Sequence, residues 1–178
     1  MSLTLAFAST LQSWLELDEE DPVVDAWDRR APLDLNAVDA ALFADYPCAD
    51  APPMAHLFMH RTGDEPAAEF VWRRHEDDDW DACPVVDLPE DGSPQCVAPS
   101  VVDYIDALLY TGGLMGGGSS EDLRAAREQA TDMGLALADE LLQQLDRALP
   151  DPEILGERWE ELQDELTDDW TDALEEAE

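Results

Sequence analysis

The side chains able to do chemistry are few and scattered. His56 and His60 stand four residues apart in the run His-Leu-Phe-Met-His. A zinc-peptidase helix spaces its histidines this way, but it also needs a glutamate base between them, and none is present. The segment follows Pro52-Pro53 and reads equally well as a strand. In a strand the two rings lie roughly 13 Å apart, too far to share one ion. No metal site is expected. His75 sits among Arg and Asp and reads as a solvent-facing loop residue.

Nucleophilic catalysis finds no better footing. Cys48, Cys83 and Cys96 are odd in number and widely spaced. They read as buried reduced thiols, outside any disulfide framework and away from a helix N-terminus that would activate them. No Gly-x-Ser-x-Gly elbow occurs, and among 44 Asp and Glu residues no pair stands out as a glycosidase acid and base. The run Thr-Gly-Gly-Leu-Met-Gly-Gly-Gly at 111–118 lacks the Gly-Lys-Ser/Thr ending of a phosphate loop and has no basic neighbour, so it reads as a helix stop and hinge. The acids Glu76 to Asp79 lack the glycine and terminal glutamate of a calcium-binding loop. No cofactor is expected, and the chain does not read as an enzyme.

One acidic segment has a different character. In Glu-Asp-Asp-Asp-Trp-Asp, the acids Asp77, Asp78 and Asp79 run directly into Trp80. An aromatic flanked by carboxylates makes a recognition hot spot: Trp80 fills a pocket on a partner while Asp77, Asp78 and Asp79 meet Arg or Lys. The plainer reading puts Trp80 in the core at the start of a strand, with the acids only keeping a loop in water. These four are the candidate partner-binding residues.

The charge of the whole chain bears on the same question. Its 178 residues carry 44 acids against 9 basic residues, every basic residue is Arg, and the net charge is −35. Nothing here neutralises a run of phosphates, which argues against nucleic acid and anionic membrane as direct ligands. The negative field attracts a basic protein or imitates nucleic acid. Alternatively it hydrates the surface, as adaptation to a salt-rich cytoplasm would require. Hydrophobic residues at 45%, with six Trp, are enough to build a core. The N-terminal segment has no cationic region before its apolar stretch and acid follows directly, so it reads as an amphipathic helix of a cytoplasmic protein.

The elements that would position these residues follow from periodicity. Phe7, Leu11, Trp14 and Leu15 predict a helix over 3–17, ended by the acids and Pro22. Asn36 reads as the N-cap of a short helix through Val38, Leu42 and Phe43. The segment 54–60 suits an extended, largely buried conformation as well as a helix, and 67–73, 84–92 and 95–100 read as three strands joined by tight turns into an antiparallel meander. Ser100 with Asp103 forms a capping box for a helix that buries Val101, Ile105, Leu108 and Leu109 and stops at Gly112-Gly113. Ser119 with Asp122 caps one long helix whose stripe runs Leu123, Ala126, Ala130, Met133, Leu137, Leu141, Leu145. Asp151-Pro152 starts the last helix, lined by Leu155, Trp159, Leu162, Leu166 and Trp170. The expected fold class is α+β: a central, mainly antiparallel sheet with flanking helices and a helical C-terminal extension. The expected organisation is a core over 1–113, a glycine-rich linker over 114–120 and an acidic helical extension over 121–178.

The strand Glu69–Trp72, the segment Pro84–Ser100 and the helix Val101–Gly113 occur in an order that resembles the SUKH superfamily of bacterial immunity-like proteins. The stretch Leu145–Gln163 is also similar to the end of some members. About thirty residues between Ala41 and Gln163 carry the likeness. Asp87 stands where members have an apolar residue, and the glycine-rich linker and the long acidic helix have no counterpart. The resemblance implies a compact α+β fold and a non-enzymatic role, commonly the binding and neutralising of a cognate toxin such as a nuclease.

Two functions of different class result. The first is a protein-binding module of immunity type whose partner is a basic protein, a toxin or nuclease. The second is a DNA mimic that inhibits a DNA-binding protein, built on rows of helical acids such as Glu157, Glu160, Glu161, Asp164, Glu165, Asp168 and Asp169. A hydrolase, which would need a deep polar pocket holding a carboxylate of raised pKa, is the third and least favoured option, and a domain whose acidity is purely halophilic would remove charge as evidence of function.

Overall fold

The computed structural model describes residues 20–29, 34–37, 54–62, 65–72, 82–87, 95–114 and 118–176. Within them the protein is α+β. Five strands, β1 (Asp34–Ala37), β2 (Met54–Thr62), β3 (Glu65–Trp72), β4 (Val85–Asp87) and β5 (Gln95–Ala98), form one sheet in sequence order. Every neighbouring pair is antiparallel. Helix α1 (Pro22–Asp28) precedes the sheet; α2 (Val101–Tyr110), α3 (Ser120–Gln129), α4 (Asp132–Gln144) and α5 (Pro152–Glu176) follow it. None of these helices is long and apolar enough to cross a membrane.

The meander runs as the alternation of turn and strand residues requires. β2 and β3 pair from Met54 opposite Trp72 to Thr62 opposite Glu65, as consecutive antiparallel strands. Strand rather than helix over 54–62 separates His56 from His60 by about 13 Å along the chain. β1 extends the sheet by pairing Asp34 with Met59 and Ala37 with His56. Asn36 therefore lies inside a strand and does not cap a helix there. Ladder bonding to β2 outweighs a capping preference that is worth only about 1 kcal/mol.

The core lies between the β3–β5 part of the sheet and the helices. Val71, Cys83, Val85 and Ala98 meet Val101, Tyr104, Ile105, Leu108 and Leu109 of α2, and Val24 and Trp27 of α1 and Ala138, Leu141 and Leu142 of α4 close it. Helix α2 is the centre of this arrangement, touching β5, α3, α4 and α5. Its start is an N-cap at the expected Ser100: the Asp103 N–H donates to Ser100 Oγ at 3.0 Å, and the hydroxyl in turn donates to Asp103 Oδ2 at 2.8 Å. Its stop is Gly112 and Gly113, both at positive φ (66° and 89°). There the Gly113 N–H reaches Leu108 O at 2.9 Å and Gly112 reaches Leu109 O at 3.4 Å, the paired bonds of a Schellman turn.

Two helix boundaries differ from expectation. Pro22 opens a helix that the sequence reading did not expect: Asp21 Oδ1 accepts from the Val23 N–H at 2.8 Å and Pro22 occupies the first turn, where a missing N–H costs nothing. The long helix expected from Ser119 onward is two helices. Ala130 is extended (φ −63°, ψ 146°), and Thr131 Oγ1 caps α4 by accepting from the Gly134 N–H at 3.2 Å. The break changes the helical phase. Gly134, Ala138, Leu141 and Leu142 turn inward, while Met133 is 66% exposed. The first helix expected over 3–17 lies outside the described residues.

Candidate functional site

Asp103, Asp106 and Tyr110 occupy positions i, i+3 and i+7 of α2 and so share one stripe of the helix. All three are buried. Each is held by an arginine from a different C-terminal element. Arg158 of α5 donates to Asp103 Oδ1 at 2.8 Å. Arg147, just past α4, donates to Asp106 Oδ2 at 2.7 Å. Arg127 of α3 donates to the Tyr110 carbonyl and lies over the Tyr110 ring, 4.9 Å from its centroid. The Tyr110 carbonyl is at the negative end of α2, where a cation is favoured. Three arginines thus bind the three C-terminal helices to the central one.

The middle pair carries the most electrostatic tension. Burial raises the Asp106 carboxyl from its ordinary value of 3.8 to about 6, and the neighbouring Asp103 pushes the same way, against the pull of Arg147 and Arg158. Asp106 Oδ1 and Arg147 Nη1 are buried without a hydrogen-bond partner, so the pair is joined at only one of its two corners. Asp103 is better supported, since its carboxylate also accepts from Ser100 Oγ.

Helix α5 also reaches the sheet. Trp159 Nε1 donates to the Cys96 carbonyl at 2.6 Å, and Gln163 Oε1 accepts from the Cys96 N–H at 2.7 Å. Two glycines allow the approach. A Cβ at Gly118 would overlap the Trp159 indole, and a Cβ at Gly156 would lie 2.5 Å from the Ser120 nitrogen. Glycines 112, 113, 118 and 156 therefore serve the turns and close packing of the helices.

The remaining described arginine side chains are also engaged within the chain: Arg29 pairs with Asp25, and Arg124 of α3 with Glu153 of α5. Every arginine whose side chain is described thus has a partner in its own chain. Outward from α5, Glu157, Glu160, Glu161, Asp164, Glu165, Asp168 and Asp172 are exposed. They span about 22 Å of helix at 1.5 Å per residue. The inward side of the same helix carries Leu155 and Leu166, both buried, with Trp159, Leu162 and Gln163 partly buried.

The expected hot spot, Asp77, Asp78, Asp79 and Trp80, lies outside the described residues. Of the other candidates, Cys83 and Cys96 are buried thiols outside any disulfide. The arginine contacts on α2 were not anticipated by sequence reasoning. Their signal is the placement of Asp103 and Asp106 inside the apolar run Val-Val-Asp-Tyr-Ile-Asp-Ala-Leu-Leu-Tyr, where any acid must find a cation or lose its charge. No family model, curated protein or solved structure matches this chain.

Proposed function

We propose that the protein is a non-enzymatic binding module of immunity type that captures a basic protein, a toxin or nuclease, in the cytoplasm. One observation carries this reading. The described arginines are all spent on internal contacts, so the outer face of α5 presents carboxylate with little cation to offset it. Such a face steers a cationic partner into encounter and disfavours an anionic one. The resemblance to the SUKH superfamily lends support, because the segments that carry it form β3, β4, β5 and α2.

Charge density separates this reading from mimicry of DNA. Seven exposed acids over about 22 Å give one charge per roughly 3 Å of helix axis. Duplex DNA presents one per roughly 1.7 Å. The spacing favours a basic protein surface over a site shaped for a duplex.

The test is capture on the immobilised full chain at low salt and again near 1 M salt, beside a variant with Glu157, Glu161, Asp164, Asp168 and Asp172 all changed to their amides. A specific partner stays bound to the wild-type chain at high salt through its packed contacts, and it associates more slowly with the variant at low salt. Failure to retain any partner at either salt overturns the proposal. Displacement of the partner by duplex DNA would favour the mimic instead.

A further inference from the structure

Among the described residues β5 borders the sheet, with β4 as its only strand neighbour. An edge strand offers unpaired N–H and C=O groups to any second chain that arrives extended. Here both backbone groups of the central residue, Cys96, point away from β4 and are taken by side chains of α5. Trp159 and Gln163 are one helical turn apart, on the same face, and supply one donor and one acceptor. That is the pair of bonds a neighbouring strand would make. Proline brackets the strand at Pro94 and Pro99, and neither residue has an N–H to offer. Gly118 leaves the space in which the indole lies against Cys96.

We infer that Trp159 and Gln163 form an edge guard, occupying the backbone of Cys96 so that β5 does not pair with β5 of a second copy of this chain. The pairing they prevent is antiparallel and two-fold symmetric, with Cys96 facing Cys96. The charge of −35 on each copy opposes the same encounter, and it loses reach when the Debye length shrinks to about 3 Å in 1 M salt. The inference is independent of the partner proposed above, because it concerns the sheet edge and not the outer face of α5.

The test uses the full chain under reducing conditions in 1 M salt, comparing wild type with the Trp159→Phe, Gln163→Leu double variant over a concentration series. Phe keeps an aromatic ring without the N–H, and Leu removes the acceptor. Hydrogen exchange at the Cys96 amide should be roughly tenfold faster in the dilute variant than in wild type. As concentration rises, the variant's mass should shift to twice the wild-type value and exchange at Cys96 should slow again. Gly118→Ala, which displaces the indole without altering either hydrogen-bonding residue, should produce the same shift. If the double variant fails to fold, Gly118→Ala and Gln163→Leu alone decide the matter. A folded variant that keeps the wild-type mass throughout overturns the inference, whether its Cys96 amide exchanges fast or stays protected.

Discussion

Arg147 reaches back 41 residues to place Nη2 2.7 Å from Asp106 Oδ2, joining the turn after α4 to the middle of α2. The turn itself aims the arginine. Asp146 adopts φ 51°, the Arg147 N–H bonds to Leu142 O at 2.8 Å and the Asp146 N–H bonds to Gln143 O at 3.2 Å, closing α4 in a Schellman motif. A local backbone decision thus delivers a long-range ion pair.

The pair makes stability depend on pH in a specific direction. Asp106 holds its proton more tightly in the folded chain, at about 6 against 3.8. Its contribution is therefore complete below pH 3.8 and is lost as pH rises through 6. In Asp106→Asn that titration is absent. Denaturant unfolding at pH 4, 5, 6 and 7 should show wild type losing stability relative to the variant, on the order of 3 kcal/mol across the window. A difference that stays flat with pH would refute the assignment.

The two ion pairs on α2 should respond unequally to loss of the arginine. Arg147→Met leaves Asp106 buried without its cation and should cost roughly 3 kcal/mol at pH 7, shrinking as pH falls through 6 and Asp106 takes up its proton. The Arg158 side chain is 57% exposed, and Asp103 keeps its bond from Ser100. Arg158→Met should cost about 1 kcal/mol or less. Equilibrium unfolding of both variants decides the order.

Asp146→Gly should stabilise the protein. An L-residue in the left-handed region is strained, glycine is not, and an acid at a helix C-terminus opposes the dipole. The gain should be about 1 kcal/mol, a rise of roughly 2–4 °C in Tm. An unchanged or lowered melting temperature would argue against that backbone conformation.

At Gly156 the usual rule is inverted. In an open helix interior Gly→Ala gains about 1 kcal/mol. Here the added Cβ would lie 2.5 Å from backbone of Ser120, so α3 and α5 would have to separate. Gly156→Ala should lower stability by roughly 2 kcal/mol, read as a drop in the thermal or denaturant midpoint.

Much of the local structure was legible in the chain because its causes act within one turn. Ser100 with Asp103, Ser119 with Asp122 and Asp151-Pro152 start helices where their side chains satisfy free backbone N–H groups, and Gly112-Gly113 stops one where positive φ is needed. Asp21-Pro22 is the same dipeptide as Asp151-Pro152 and also starts a helix, although Pro22 after an acidic run reads as a terminator. The break before Thr131 was written in Thr-Asp-Met-Gly, but the apolar stripe running through it from Leu123 to Leu145 hid the cap.

What composition and order determined by themselves were the α+β class, the meander, most helix ends and the excess of carboxylate. Only the tertiary structure decided which acid each arginine meets, and that Trp159 and Gln163 turn from an apolar helix face to the backbone of Cys96. The physical reason is range. Caps and turns are contacts between near neighbours, whereas Arg147 with Asp106 and Trp159 with Cys96 join residues 41 and 63 apart. With 44 carboxylates available to nine arginines, many pairings have equal local merit. Packing of α3, α4 and α5 against α2 selects among them.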